Sequence, residues 1–149
     1  MNLLFECYVA AVAQRALAPL GYTVRTQGPR RSLARNESDQ LVFHTIPDVY
    51  LEREGEVTLL DTKWKRIDPS RRDFDISQSD AYQMFGYAQR YESRATILMF
   101  PHHQEITRPA GLQAQWRFEV GDALLKVATI SVAEPGQAET TLRSLVRNE

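Results

Sequence analysis

The chain has 149 residues, of which 43% are hydrophobic and 25% charged, and its formal net charge at pH 7 is -1. This length and composition are typical of one globular domain and exclude collagen-like, low-complexity and wholly disordered chains. The chain contains no unbroken run of roughly eighteen apolar residues, so we expect no membrane-spanning helix. The single cysteine, Cys7, can form neither an internal disulfide nor a thiolate metal site. We therefore expect one soluble, cytoplasmic domain over residues 1–149, with Cys7 buried.

The first element in the chain is a predicted amphipathic helix over residues 1–20. Its apolar side chains recur at i, i+4, i+7, i+8 and i+11, the spacing of one buried face, and are Phe5, Val9, Val12, Ala13 and Ala16. Pro19 and Gly21 predict where it ends. The segment has no basic leader and carries Glu6 inside its apolar stretch, which argues against a secretion signal.

Strands joined by charged loops are predicted for the middle of the chain. Segments with the composition of strands are 22–25, 41–43, 48–52 and 57–65. Residues 27–39 and 66–75 are rich in Gly, Pro, Ser, Asn, Asp or Arg, which predicts loops. Glu54 and Gly55 predict a tight turn that makes 48–52 and 57–65 an antiparallel pair.

Helices and strands alternate again in the second half. Ser77 to Asp80 resembles a capping box, and four apolar residues follow at helical spacing, namely Ala81, Met84, Phe85 and Ala88. Strands are predicted over 95–100, 116–120 and 125–132, and a short last helix over 140–146. The order of elements predicts an α/β (α+β) fold with a central mixed β-sheet flanked by helices.

Charged side chains concentrate on the predicted hairpin. Asp61 and Lys63 share one face because strand side chains alternate in direction. A two-residue turn at Glu54 and Gly55 fixes the register so that Asp48 faces Asp61. Two opposed like charges are unfavourable unless they are neutralised. A divalent cation would neutralise them, and Mg²⁺ suits the arrangement because it takes one or two carboxylates and completes its shell with water and phosphate oxygens.

A surface salt-bridge ladder would also account for Asp48, Asp61 and Lys63, and it is the commoner arrangement. The apolar stretch at 57–60 argues instead that Asp61 lies on a central strand. In addition, Glu6 heads a helical stripe of small residues, where an apolar side chain would be easier to bury.

These residues resemble a known family. Asp48 followed by Asp61, Thr62 and Lys63 resembles the active-site motif of the PD-(D/E)XK nuclease superfamily. Gln83 and Tyr87 resemble the Gln-x-x-x-Tyr signature of its RecB-like branch. More closely, residues 1–6, 60–65 and 79–84 are similar to the nuclease domain of McrC, the cleavage subunit of the McrBC modification-dependent restriction system. The resemblance covers roughly residues 1–100.

The resemblance implies a restriction-endonuclease-like core and a Mg²⁺-dependent DNA endonuclease, with Mn²⁺ as a substitute, that leaves a 5'-phosphate. It implies catalytic or site-organising roles for Glu6, Asp48, Asp61, Lys63, Gln83 and Tyr87. The implied metal ligands are Asp48, Asp61, the backbone carbonyl of Thr62, and Glu6 directly or through water. Lys63 would be the catalytic lysine, and Gln83 and Tyr87, one helical turn apart, would organise the site and contact the DNA backbone.

Basic residues in the two predicted loops are candidates for phosphate contacts on either side of the site. They are Arg30, Arg31, Arg35, Lys65, Arg66, Arg71 and Arg72. Each of them alone fits a solvated loop better than a phosphate contact, but both loops adjoin the predicted motif strands, which favours phosphate contacts for the group as a whole. The net charge of -1 argues against a protein that coats nucleic acid, but it also conceals a local cancellation between the carboxylates and these arginines.

The resemblance also raises the question of partners. One metal-lysine site cuts one strand, so a double-strand break predicts a homodimer. McrC proteins carry a region ahead of the nuclease core that engages the McrB-like GTPase motor, whereas this chain starts on the first core helix. An McrB-like motor therefore stays open as a partner although its usual docking region is missing from this sequence. A stand-alone relative, a truncated piece and a degenerate remnant stay open as well.

Two other functions stay open as well: a catalytically inactive DNA-binding or assembly module on the same fold, and a defence nuclease that acts on RNA. Trp64 alternates with Lys63 and is expected in the core rather than as a base-stacking platform. His102 and His103 do not predict a metal site, because adjacent histidines rarely face one point and no third ligand lies near them in sequence.

Overall fold

The computed structural model describes residues 2–147; Met1, where the predicted first helix begins, and positions 148–149 lie outside the described residues. The elements in chain order are α1 (Asn2–Leu17), a 3₁₀ turn (Ala18–Leu20), β1 (Thr23–Thr26), β2 (Arg31–Arg35), β3 (Leu41–Thr45), β4 (Val49–Arg53), β5 (Glu56–Thr62), α2 (Gln78–Tyr91), β6 (Ala95–Pro101), β7 (Gly111–Arg117), β8 (Leu124–Ile130) and α3 (Pro135–Arg147).

Six of these strands form one mixed sheet in the order β1-β4-β5-β6-β8-β7. β1, β4 and β5 pair antiparallel, β5, β6 and β8 run parallel, and β7 pairs antiparallel with β8 at the far edge. A parallel pair needs a crossover between its strands, and α2 lies on the crossover from β5 to β6. The predicted mixed sheet flanked by helices is confirmed.

Helices cover both faces of the sheet. On one face, α1 and α3 pack against the apolar side chains of β4, β5, β6 and β8. On the other face, α2 packs through Met84, Tyr87 and Tyr91. β6 is buried over six of its seven residues, as expected for a parallel strand covered on both sides.

The α1 segment is also apolar enough to resemble a membrane span. By length and composition alone, Asn2–Leu20 could cross a membrane, although polar residues interrupt its apolar run. In the structure, however, the predicted face of α1 is part of the hydrophobic core, as expected for a core helix. Cys7 is exposed, so its predicted burial is wrong. It lies two residues from Phe5, about 200° around the helix and away from the core.

The predicted loop over residues 27–39 is wrong in its centre. Arg31–Arg35 is strand β2, which pairs antiparallel with β3 in a separate two-stranded sheet. The polar composition concealed this strand because hairpin pairing is made by the backbone. The Asn36 side chain accepts hydrogen bonds from the backbone N–H groups of Ser38 and Gln40 and thereby closes the turn.

Two further boundaries differ from the prediction. The strand expected at 116–120 lies earlier, at Gly111–Arg117, and the last helix begins at Pro135 rather than at 140. Proline is favoured in the first turn of a helix because the missing N–H has no intrahelical partner there.

Candidate active site

The turn between β4 and β5 sets the geometry of the site. Glu54 and Gly55 have φ angles of 54° and 82°, the left-handed pair typical of a two-residue hairpin turn. The register then pairs Arg53 with Glu56 and Val49 with Leu60. Asp48 directly precedes β4 and lies opposite Asp61, so the predicted register is confirmed.

Asp48 is held in place by Thr62, the last residue of β5. The backbone N–H and the side-chain hydroxyl of Thr62 both donate to Oδ2 of Asp48, each at 2.8 Å. A carboxylate with two donors on one oxygen has a fixed orientation. This contact ties the start of β4 to the end of β5.

Asp61 is buried, with only 5% of its surface exposed. Burial, and then the nearby charge of Asp48, raise the pKa of Asp61 to about 6, while the Lys63 ammonium, 2.9 Å from its Oδ2, acts in the opposite direction. Two carboxylates this close oppose each other's ionisation. The pair therefore carries an electrostatic cost that a bound cation would relieve.

Glu6 extends from α1 toward the same pair. Burial raises the pKa of Glu6, the nearby Asp48 and Asp61 raise it further, and a hydrogen bond from Gln27 lowers it. The structure thus brings together three carboxylates from distant parts of the sequence. Within residues 2–147, however, no three Asp, Glu, His or Cys side chains are close enough to form a metal cluster by themselves.

Lys63 lies between β5 and α2 and has three partners. Its Nζ is 2.9 Å from Asp61 Oδ2 and 3.4 Å from Asp80 Oδ1, and it donates to Gln83 Oε1 at 3.2 Å. Burial would lower the pKa of Lys63, but Asp61 and Asp80 outweigh burial and raise it. The ammonium is therefore charged and fixed in position.

Gln83 and Tyr87 continue this chain of contacts along α2. Gln83 Nε2 donates to the Tyr87 hydroxyl at 3.1 Å, and that hydroxyl donates to the backbone carbonyl of Ile46 at 3.1 Å. Tyr87 is buried, and burial together with the charges of Asp61 and Asp48 raises its pKa. The hydroxyl thus links α2 to the segment that leads into Asp48.

Asp80 is a site residue that the sequence analysis missed. It is 8% exposed and pairs through Oδ2 with Lys65 Nζ at 2.8 Å as well as with Lys63. Burial would raise the pKa of Asp80, but Lys65 and Lys63 hold it below its usual range. Its spacing was the available signal, because Asp80 lies three residues before Gln83 and hence on the same face of α2. The sequence pattern indicated only its role in the helix cap, where its backbone N–H donates to Ser77 Oγ at 3.0 Å.

The predicted phosphate-binding residues of the first segment lie on or beside the β2–β3 hairpin. Arg30 is exposed just before β2. Arg31 stacks over the Tyr91 ring at 4.7 Å. Arg35 is exposed and lies 3.6 Å from Asp39. The hairpin leads through Ile46 and Pro47 into Asp48, so it is continuous in sequence with one side of the site.

The second predicted group follows β5. Lys65 pairs with Asp80, Arg66 lies 3.5 Å from Glu105, and Arg71 lies 3.5 Å from Asp75. Arg72 is exposed. The contacts of Arg66 and Arg71 are between solvent-exposed groups and are weak in water. Both are therefore able to exchange these partners for a phosphate.

A cleft of about 310 Å³ opens at this end of the sheet. It is lined by Glu6, Asp48, Asp61, Lys63, Trp64 and Lys65, among others. The predicted burial of Trp64 is wrong, because its side chain is 38% exposed on the wall of this cleft. The alternation argument failed there because β5 ends at Thr62 and the chain beyond it is no longer a strand.

A mixed sheet with a carboxylate-lysine cleft at the ends of its strands defines an α/β domain with an enzyme-like polar site. Sequence comparison gives the particular family. The family of the McrBC 5-methylcytosine restriction system component matches residues 1–101, and the chain belongs to this family. It is a McrC-like domain. No curated protein matches the chain significantly in sequence.

One solved structure shares the fold. A chain from the refined half-complex of the tetradecameric assembly of Thermococcus gammatolerans McrB AAA+ hexamers with bound McrC aligns with a TM-score of 0.72 and 16% identity, over 99% of this chain and 33% of that chain. The present chain thus spans about a third of the length of that chain. AF1548, a protein of unknown function, aligns with a TM-score of 0.43 and 14% identity over 67% of this chain and 50% of its own chain. This TM-score does not indicate a shared fold.

Proposed function

We propose that this chain is a Mg²⁺-dependent DNA endonuclease domain of the PD-(D/E)XK type, which hydrolyses a phosphodiester bond as the cleavage component of a restriction system and leaves a 5'-phosphate. One observation carries the proposal. Asp48 and Asp61 oppose each other at the ends of adjacent strands, and the Lys63 ammonium lies 2.9 Å from Asp61. Family membership supports the restriction-system context.

The donors in the cleft fit a hard divalent cation. Asp48 and Asp61 would hold it, with the backbone carbonyl of Thr62 and, directly or through water, Glu6. Mg²⁺ takes one or two carboxylates and retains several waters, so a complete cage of protein ligands is not required. When bound, the ion would lower the pKa of a coordinated water and neutralise charge that develops on the phosphate. Mn²⁺ accepts the same oxygen donors.

The chain's own residues supply positioning and charge. Lys63 presents a fixed ammonium at the edge of the cleft, where it stabilises negative charge on a phosphate oxygen. Gln83 accepts a hydrogen bond from the Lys63 ammonium. The Tyr87 hydroxyl accepts a hydrogen bond from Gln83 and donates one to the Ile46 carbonyl. Gln83 and Tyr87 are thus positioning residues for Lys63. The arginines of the β2–β3 hairpin and of the segment after β5 would grip the DNA backbone on either side.

We also propose an McrB-like motor as partner. The similar solved structure is an assembly of McrB AAA+ hexamers with bound McrC. This chain aligns with 33% of one chain of that assembly. Two copies of the domain, one for each strand, would make a double-strand break.

Nicking of supercoiled plasmid tests the proposal. The wild type should convert plasmid to the open-circular form with Mg²⁺ or Mn²⁺ and not with EDTA. Asp61→Ala and Lys63→Ala should each lower the rate by about 10²-fold or more, on the scale of losing one charge-stabilising group. Glu119→Ala removes an exposed carboxylate of the β7–β8 connection and should leave the rate unchanged. Metal-dependent activity equal to that of the wild type in both site variants would contradict the assignment of the active site.

Calorimetry separates this function from an inactive module on the same fold. A protein that shifts DNA in a gel, releases no product and takes up no Mg²⁺ would be a binding or assembly module. Single-stranded RNA in the same cleavage assay tests the remaining alternative. RNA cleaved faster than DNA would contradict the proposed substrate.

A further inference from the structure

A second cavity adjoins the catalytic cleft at the carboxyl ends of the three parallel strands. Trp64 lies just beyond β5, His102 follows β6, and Val132 follows β8. These three segments line a cavity of about 250 Å³, together with Lys65 and other residues. Crevices outside the carboxyl ends of neighbouring parallel strands are where α/β sheets bind ligands. Trp64 and Lys65 line both the cavity and the cleft.

The Trp64 indole is built as a platform. Its ring lies 5.3 Å from the ring of Phe5 at an interplanar angle of 56°, and Phe5 is 3% exposed in the core. The indole is thus supported on one side by the core, while 38% of the side chain faces solvent. Exposed aromatics that are fixed beside basic residues are the stacking platforms of single-strand binding proteins.

The polar lining complements a heteroaromatic ring next to a phosphate. Both ring nitrogens of His103 are shielded from solvent, yet neither makes a hydrogen bond to any residue in the described part of the chain. His102 is fixed by a 2.8 Å hydrogen bond with the Thr129 hydroxyl. Unmet hydrogen-bonding capacity is costly in a folded protein, and a turn of the His103 ring into the cavity that it lines would let the edge of a base satisfy it. Lys65 and Arg66 at the rim carry the charge that a phosphate requires.

We propose that this cavity binds an unpaired nucleobase of the DNA strand whose phosphate occupies the cleft, with Trp64 stacking on the base. The inference rests on the proposed function for the position of the phosphate. Its substrate class is DNA with an unpaired or extruded base beside the scissile phosphate, because a base stacked within a duplex cannot enter the cavity without leaving the stack. Trp64 then couples base binding to placement of the scissile bond.

Binding of oligonucleotides in EDTA tests this without cleavage. The probe is a single-stranded DNA of about 15 nucleotides, compared with the duplex of the same sequence. The single strand should quench the Trp64 emission. Trp64→Ala should weaken single-strand binding about tenfold, since a stacked base contributes roughly a tenfold factor or more, and should weaken duplex binding less. Trp116→Phe, at the only other tryptophan, should retain both the affinity and the quenching.

Two valine variants test the same cavity at exposed positions, in case Trp64→Ala does not fold. Val132 and Val120 are 47% and 62% exposed, so both should tolerate a charge. Val132→Asp should weaken single-strand binding by placing a charge against the base in the cavity, and Val120→Asp should not. The quenching is measured in EDTA and should be seen whether or not the wild type nicks plasmid with Mg²⁺, so an inactive nuclease site would leave this inference standing. Unchanged single-strand affinity in Trp64→Ala and Val132→Asp, or equal losses for duplex and single strand, would overturn it.

Discussion

The Lys63 ammonium has more partners than a surface lysine requires. Asp61, Asp80 and Gln83 all contact its Nζ. Holding a long side chain in one geometry costs conformational entropy, and the contact with Gln83 is made from a separate helix. Lys63 is thus pre-positioned in the cleft, and the residues that hold it are open to test.

Asp80→Asn removes the charge that holds Lys63 and Lys65. We expect the free energy of unfolding at pH 7 to fall by about 1–2 kcal/mol, the range for losing hydrogen bonds to charged groups that are partly exposed. Chemical denaturation measures it. Asp39→Asn, at an exposed ion pair of the hairpin turn, should change stability by less than about 0.5 kcal/mol.

The stability lost in Asp80→Asn should depend on pH. The folded state holds the pKa of Asp80 below its usual range, so its contribution to stability is complete above the ordinary carboxyl pKa. The contribution is lost as the pH falls through the lowered value. The difference between wild type and Asp80→Asn should therefore shrink below about pH 4. A difference that grows on acidification would contradict the assigned ion pairs.

Tyr87→Phe removes only the hydroxyl that links Gln83 to the Ile46 carbonyl. We expect the nicking rate to fall by about tenfold, because Gln83 then loses the contact that orients it toward Lys63. Tyr91→Phe is the matched control one turn further along α2. Its hydroxyl contacts Pro29 and Thr45 and has no contact with Lys63. Equal rate losses in both variants would point to a general effect on α2 packing.

Among the elements, the β4–β5 turn has the clearest structural consequence, because it determines that Asp48 opposes Asp61. Gly55→Ala should destabilise the protein by about 1 kcal/mol, since its φ of 82° is unfavourable for residues with a Cβ. The added methyl would meet no atom within 4 Å at Gly55 or at Gly136. Gly136→Ala, in α3, should not lower stability. Thermal unfolding distinguishes the two.

The β2–β3 hairpin offers a separate test of DNA binding. Arg30→Ala and Arg35→Ala should each weaken binding across sequences and reduce the slope of log affinity against log salt by about 1, the value for one lost phosphate contact. Arg143→Ala, on α3 beside Glu139, is the control and should leave the slope unchanged. An unaltered salt dependence of affinity in both variants would show that these two arginines do not contact the DNA backbone.

Local rules account for the elements that the sequence predicted. The spacing of apolar residues located α1, and the capping box together with that spacing located α2. The two-residue turn fixed the β4–β5 register, which predicts that Asp48 lies opposite Asp61. Asp80 and Trp64 were misjudged because their surroundings depend on tertiary structure. Asp80 meets Lys63 only when α2 crosses back over the sheet, and Trp64 is exposed because β5 ends three residues earlier than its composition suggests.

At the scale of the whole molecule, the net charge of -1 hides a cleft with opposed carboxylates. We expect Mg²⁺ to stabilise the folded protein, because it relieves the repulsion between Asp48 and Asp61. At 100 times the dissociation constant the gain is about 2.7 kcal/mol, or roughly 5–10 °C in melting temperature for a domain of this size. Asp61→Asn should abolish the shift and Glu119→Gln should retain it. A shift that survives Asp61→Asn would place the ion elsewhere.

The central claim is that a metal ion binds between Asp48 and Asp61. Crystals soaked in manganese test it most directly, because the anomalous scattering of Mn²⁺ locates the ion independently of any assumed role. The account predicts one strong anomalous peak within coordination distance of carboxylate oxygens of both residues, with Lys63 beside it. No peak there under soaking conditions that support plasmid nicking, or a peak bound to other residues, would contradict it.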